Sequence, residues 1–290
     1  MKGNGNLHIF KLLDPMFITQ KSKHPKHDTE KTHPALIPSC FSYLEADASS
    51  LPIPESPAFI HHNKPHPLAE LAVKQLQSYL IDQTDFIHNF GLLAGQKGAV
   101  IGKMFGVLVV KNSDGMIGFL SAFSGKLAGG NHHARFVPPV YDSLADDGFL
   151  IPGMAELKAF TDKIKSLEIQ PSAGNKKHAV ILKAQRKALS ISLQQQLFDN
   201  YHFLNSSGIS KSLIDIFKDA GLINPPSGAG ECAGPKLFQY AFGNSMQPLA
   251  IAEFWWGQSP KSATWKHGHF YACCKEKCEP VFAHMLGNFG

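Results

Sequence analysis

Apolar residues recur along this chain with two different periods, and the switches between them mark out its elements. Leu68, Leu71, Ala72, Leu76 and Leu80 fall at helical spacing behind Pro67. They predict a helix from 67 to about 79–82, with proline in the first turn, where its missing N–H is not needed. The stretch Met-Phe-Gly-Val-Leu-Val-Val (104–110) is apolar at almost every position, Asn-Ser-Asp-Gly (112–115) is a turn signal, and Ile-Gly-Phe-Leu-Ser-Ala-Phe (117–123) returns. This predicts a β-hairpin, with Gly115 supplying the positive φ that the turn needs. A strand apolar on both faces belongs at the centre of a covered sheet.

Helical spacing resumes over 154–167 and 176–204, broken by Ser-Ala-Gly-Asn (172–175) and striped by Leu182, Leu189, Leu193 and Leu197. A helical hairpin accounts for it. A further helix begins near Pro235, residues 249–255 read as a strand, and a last helix carries Val281, Phe282, Met285 and Leu286. The order is helix, hairpin, helical insertion, helix, strand, helix. It predicts an α/β (α+β) fold: a small mixed sheet with a central β-hairpin, covered by helices. The segments are a flexible tail (1–44), the first part of the α/β domain (45–153), the helical insertion (154–204) and the second part of the domain (205–290). Much of 1–66 is rich in Pro, His, Lys and Ser, which interrupts regular hydrogen bonding.

Composition narrows the class only slightly. A hydrophobic fraction of 43% suits a globular core, and 28 Lys+Arg against 23 Asp+Glu permits a nucleic-acid partner without demanding one. No stretch approaches the ~20 apolar residues that span a bilayer, and the N-terminus lacks the apolar run and cleavage site of a signal peptide. The five cysteines do not form an evenly spaced disulfide framework. The chain reads as soluble, reduced and cytoplasmic, with no membrane partner.

Four cysteines lie in the last sixty residues: Cys232 within Gly-Ala-Gly-Glu-Cys-Ala-Gly-Pro-Lys (228–236), and Cys273, Cys274 and Cys278 within Tyr-Ala-Cys-Cys-Lys-Glu-Lys-Cys-Glu-Pro (271–280). Cys232 precedes a helix N-terminus, where the dipole favours a thiolate, and the four-residue spacing puts Cys274 and Cys278 on one face of a helical turn. Zinc takes such thiolates at ~2.3 Å. Cys232, Cys274 and Cys278 are therefore the candidate metal ligands, with free thiols as the alternative and zinc as the cofactor implied. Glu231, Glu253 and His133 are the candidate acid–base groups. The Gly-rich turn 124–133, with Lys126, His132 and His133, offers backbone N–H groups to a phosphate or forms an ordinary surface loop. Phe-Trp-Trp (254–256) stands beside Lys261, Lys266, His267 and His269. Alternation along a strand places one of Trp255 and Trp256 in the core and the other outside. Lys126, His132, His133, Lys236, Trp256, Lys261, Lys266 and His267 are the candidate RNA contacts. Neither a P-loop nor a Gly-x-Ser-x-Gly elbow occurs.

The element order and cysteine spacing resemble the cytidine-deaminase-like scaffold, in which one helix carries His/Cys-x-Glu and a later one Pro-Cys-x-x-Cys around zinc, with the Glu as proton shuttle. Cys232-Ala233-Gly234 matches the first motif and Cys274/Cys278 the second. Gly234 stands in place of the Glu, Ala272 in place of the Pro, and the second spacing is one residue longer. The resemblance implies a zinc-dependent hydrolase acting on a base or nucleotide, with Glu231 or Glu253 as the substitute carboxylate.

Other stretches resemble the N-terminal extension of a bacterial subgroup of RluA-type pseudouridine synthases: 66–72, 102–110, 118–129 with Asn131-His132-His133, 225–230, Cys232-Ala233, 235–237, Ala-Glu-Phe-Trp-Trp-Gly (252–257) and 277–280, together spanning roughly 45–288. This resemblance implies a module of RNA modification that binds structured RNA (ribosomal or transfer RNA) or a synthase domain in cis or in trans. The synthase motif His-Arg-Leu-Asp does not occur in the chain, so no synthase residue carries over. A helix that leads into a synthase domain implies apolar surface exposed at Phe282, Met285 and Phe289.

Overall fold

The computed structural model describes residues 40–44, 50–59, 64–145, 147–170 and 172–287. The elements run β1 (Ser42–Tyr43), α1 (Pro67–Asp82), β2 (Lys103–Lys111), β3 (Ile117–Phe123), α2 (Leu150–Ile169), α3 (Ala173–Asn200), β4 (His202–Leu204), β5 (Ser210–Ser212), α4 (Leu213–Asp219), α5 (Ala233–Gly243), β6 (Gln247–Trp256), β7 (Phe270–Tyr271) and α6 (Glu279–Leu286). Residues 141–201 form one compact unit; the described residues before and after them form another.

The larger unit is an α/β fold on a five-stranded sheet of order β1-β3-β2-β6-β7, antiparallel at each strand pairing rather than mixed, with parallel pairing among the described residues confined to the isolated bridges Ala58–Ala250 and Ser121–Phe136. The hairpin is central as its apolar run requires: β2 pairs with β3 on one side and β6 on the other, placing Val107 between Ser121 and Ala252. One face is covered by α1. Leu68, Ala72, Val73, Leu76 and Leu80 pack with Phe105, Val107, Val109, Phe123 and Phe254 in a single buried cluster. Burying each such Leu or Phe contributes roughly 1.5–3 kcal/mol. The other face is covered by α5, which lies so close to β2 that a Cβ at Gly106 would stand 3.0 Å from the Cβ of Ala233.

Helix α6 packs on α5 through Phe282, whose ring meets those of Phe238 at 5.5 Å and Phe59 at 5.7 Å. Phe282 and Met285 are fully buried, so they do not form the exposed apolar face expected at this helix. Their side chains close the core of this unit, and Phe289 lies outside the described residues. So do residues 1–39 of the expected tail, whereas Ser42–Tyr43 pair with Phe119 and Gly118 at the sheet edge.

The smaller unit is the expected helical hairpin. Leu150, Met154, Leu157 and Leu193 form its seam, Gly153 packs directly against the Leu193 side chain, and Arg186 Nε donates to Thr161 Oγ1 at 2.8 Å. Its second helix ends at Asn200 rather than 204 because residues 202–204 enter β4. The following turn is held by Asn205 Oδ1, which accepts from Ser207 N–H and Ile209 N–H. Among the described residues no helix is long and apolar enough to cross a membrane.

Candidate metal centre

The three candidate ligand cysteines converge. Cys232 is the N-cap of α5, in extended conformation (φ −70°, ψ 155°). Cys278 is the N-cap of α6. Cys274 opens the tight turn before it, its carbonyl accepting from the N–H groups of Cys278 (3.0 Å) and Glu279 (3.3 Å). All three sulfurs lie within 4.8 Å of one another, and those of Cys274 and Cys278 are 3.3 Å apart. Bonds of ~2.3 Å in a tetrahedron set sulfur–sulfur separations of roughly 3.8 Å, so the donor set fits zinc.

Cys278 is buried, Cys232 is half-buried and Cys274 is the outermost. A single negative charge suits the three thiols best without a metal. The hydrogen bonds from Cys232 and then Cys278 hold the Cys274 thiol far below its ordinary range. The hydrogen bond with Cys274, together with burial, pushes Cys232 up against the opposing bond with Cys278, and the bonds with Cys232 and then Cys274, with burial, push Cys278 up. A divalent cation reverses that order by stabilising all three thiolates.

A carboxylate stands beside the sulfurs. Glu253, on β6, is 7% exposed, and its Oε1 accepts the Gly234 N–H at 3.0 Å. Burial pushes its carboxyl up to about 7, the Gly234 hydrogen bond opposes this, and the Cys274 charge adds to it. A side chain at 234 has no room, because a Cβ there would come 2.6 Å from Phe282 Cζ. The carboxylate therefore reaches the first turn of α5 from the sheet rather than from the helix. Glu253 and Cys273 border a cavity of about 150 Å³ whose apolar walls include Phe59, Ile251 and Phe282. A void of this size accommodates one six-membered ring. Burial pushes the Cys273 thiol up to about 12.

The other candidates separate. Glu231 lies near Lys103, Lys126 and Lys236, away from the carboxylate position beside Gly234. His133 is tied down, its Nε2 at 2.7 Å from the Leu127 carbonyl, and burial pulls its pKa below the usual histidine range. Part of the N–H set of the Gly-rich turn is spent within the fold. The N–H of Gly125 donates to Glu231 O, those of Leu127 and Gly130 to each other's carbonyls, and that of Ala128 to His88 Nδ1. Four N–H groups are consumed within the fold.

Of the candidate RNA contacts, Lys236 and Trp256 are buried. Lys236 Nζ donates to the carbonyls of Phe123 (3.0 Å) and Gly125 (3.1 Å). The Trp256 ring lies edge-to-face on Phe254 at 6.2 Å and against His267 at 4.5 Å. Trp255 is the outward residue of the pair and stacks on Trp265 at 6.0 Å, with Tyr271 edge-on to Trp265 at 4.6 Å. His132, Lys261, Lys266 and His267 are exposed, and Lys126 is half-buried. Trp265, Tyr271 and Lys103 were not singled out in the sequence, because each matters only through its neighbours in space. Comparison with family models, with curated proteins and with solved structures finds no match to this chain.

Proposed function

We propose that the chain is a zinc-dependent hydrolase of the deaminase type, acting on a nucleobase-sized ring. The observation that carries this reading is the convergence of three thiols at the starts of α5 and α6 beside a buried carboxyl, Glu253, that also borders a ring-sized cavity. Cys232, Cys274 and Cys278 would hold the metal, which would supply Lewis-acid chemistry and acidify water. Glu253, with its carboxyl near neutral pKa, gives and takes a proton at Oε1 or Oε2, while the Gly234 N–H fixes its orientation. The apolar walls of Phe59, Ile251 and Phe282 exclude water and favour a flat ring.

Metal analysis of protein purified without added zinc, with ammonia release from a panel of bases and nucleosides, tests this. The expected result is close to one zinc per chain and turnover that Glu253→Gln abolishes while the zinc stays. Less than about a tenth of an equivalent, with the thiols titrating freely, sinks the reading. Bound zinc without turnover on any substrate removes the hydrolase and leaves a structural metal site.

A second reading, an RNA-binding module, draws support from the Trp255–Trp265–Tyr271 platform. Residues 254–275 around it contain three Lys, two His and no Asp or Glu. Such aromatic and cationic surfaces stack bases and neutralise phosphates. Binding of transfer or ribosomal RNA fragments must then weaken steeply with salt and fall on Trp265→Ala. Salt-independent binding, or none at low salt, removes this reading.

A further inference from the structure

At the end of β3, three lysines gather around one carboxylate, on residues distinct from the thiol ligands. Lys236, on α5, is 4% exposed and threads between the carbonyls of Phe123 and Gly125, its Nζ lying 5.1 Å from the Phe123 ring centroid. Lys103, at the start of β2, is half-buried, and its Nζ reaches the intervening carbonyl of Ser124 at 3.4 Å. Two ammonium groups thus share three consecutive carbonyls. Lys126, half-buried in the following loop, and Glu231, just before Cys232, complete the group. His88 and His133 lie nearby, and burial holds both below the usual histidine pKa, so they add little charge at neutral pH.

Three cations face one carboxylate, with the Cys232 thiol as a further partial counter-charge to Lys236, and positive charge remains in excess in a place largely removed from water. Uncompensated buried charge is strongly unfavourable. Carbonyl dipoles soften it but carry no net charge. Burial and the neighbouring lysines pull the Lys103 amine down to about 8, as the crowding requires. The N–H groups of Gly125, Leu127, Ala128 and Gly130 are already used, so whatever relieves the surplus meets the ammonium groups first. Lys103 and Lys126 face partial exposure, which leaves a route from solvent, while Lys236 closes the back.

We propose that Lys103, Lys126 and Lys236 form a binding site for a dianionic oxyanion of phosphate chemistry, with Glu231 as the built-in counter-charge. A dianion neutralises the surplus that the fold leaves, and ammonium groups bind phosphate as point charges. The proposal stands apart from the zinc reading, since none of these residues is a thiol ligand and its test measures binding alone.

Isothermal titration of the metal-chelated full chain with inorganic phosphate, with a nucleoside 5′-monophosphate and with the parent nucleoside decides it, against chloride at equal ionic strength. The expected result is saturable one-to-one binding of phosphate or monophosphate, none of it shared by the nucleoside or chloride. Lys126→Met weakens it by about tenfold, the loss of one charge-assisted contact, and Lys103→Met does the same. Lys126 lies in a loop, so its variant keeps the test open where a change at Lys103 disturbs β2. A monophosphate that binds tighter than inorganic phosphate identifies a phosphorylated ligand; the reverse order identifies the free ion. No binding of either at millimolar concentration overturns the site, as does binding unchanged in a folded Lys126→Met protein.

Discussion

Replacing Gly234 by Ala tests how α5, α6 and the thiols are spaced. A Cβ at 234 would stand 2.6 Å from Phe282 Cζ, 3.4 Å from Ile251 Cδ1 and 3.5 Å from Phe282 Cε1. The first distance is roughly 1 Å inside the carbon–carbon optimum of ~3.5–4.0 Å. The Phe282 ring has little room to yield, being fully buried between Phe238 and Phe59. Overpacking of this kind costs about 1–3 kcal/mol. Alanine recovers at most about 1 kcal/mol through helix propensity and chain entropy. The following Pro235 erodes that gain, because a Cβ before proline disfavours helical backbone. The net expectation is a loss of about 1–2 kcal/mol, read as a urea midpoint lower by roughly 0.5–1 M for a slope near 2 kcal/mol/M. The same strain acts on the metal centre, since Cys232 caps α5 and Cys278 caps α6 one turn before Phe282. Zinc affinity, measured by competition with a chelator, falls by about fivefold, equivalent to ~1 kcal/mol. Gly174→Ala is the control: it meets only Ser172 Oγ, at 3.9 Å, and is neutral or slightly stabilising. A Gly234→Ala protein as stable as wild type, with unchanged zinc affinity, would falsify the proposed coupling between helix packing and ligand spacing.

Further predictions concern the thiols, the lysine cluster and the sheet. Cobalt(II) added to the metal-free protein gives sulfur-to-metal charge-transfer bands that Cys232→Ser and Cys278→Ser reduce and Cys273→Ser spares; equal loss in all three variants counts against the ligand set. Without a bound anion, Lys103 is held at about 8 against 10.5 unfolded, so the unfolded chain holds more protons between those values and stability rises with pH there. Below about pH 8 the full destabilisation is present; by about pH 10.5 it is gone, a change of up to about 3 kcal/mol. The stability difference between wild type and Lys103→Met, from urea titrations across this range, shifts in favour of wild type as pH rises; a difference independent of pH removes the buried ammonium from the account. Val107→Asp places an unpaired charge at a fully buried site on the central strand and costs several kcal/mol. A soluble variant melting as wild type contradicts the strand order.

Local sequence was sufficient for elements whose signals are carried within themselves. The apolar run of β2, the Asn-Ser-Asp-Gly turn and the periodic leucines of α1 dictate their backbone by side-chain sterics and burial alone, so their boundaries were legible to within a residue or two. The short strands β4, β5 and β7 were not. Three residues such as Ser-Lys-Ser carry no alternation, and pair only because a partner strand is brought beside them. The cysteine spacing proposed a metal site, but only the fold shows that the N-caps of α5 and α6 bring those sulfurs within 4.8 Å. Tertiary structure also decided which carboxylate stands there. Phe282 fills the space a side chain at 234 would need, and the β6 register delivers Glu253 to the Gly234 N–H. In the same way, packing turned Lys236 and Trp256 inward and Trp255 outward. Burial and charge proximity depend on the sum of all neighbours, and no window of sequence contains that sum.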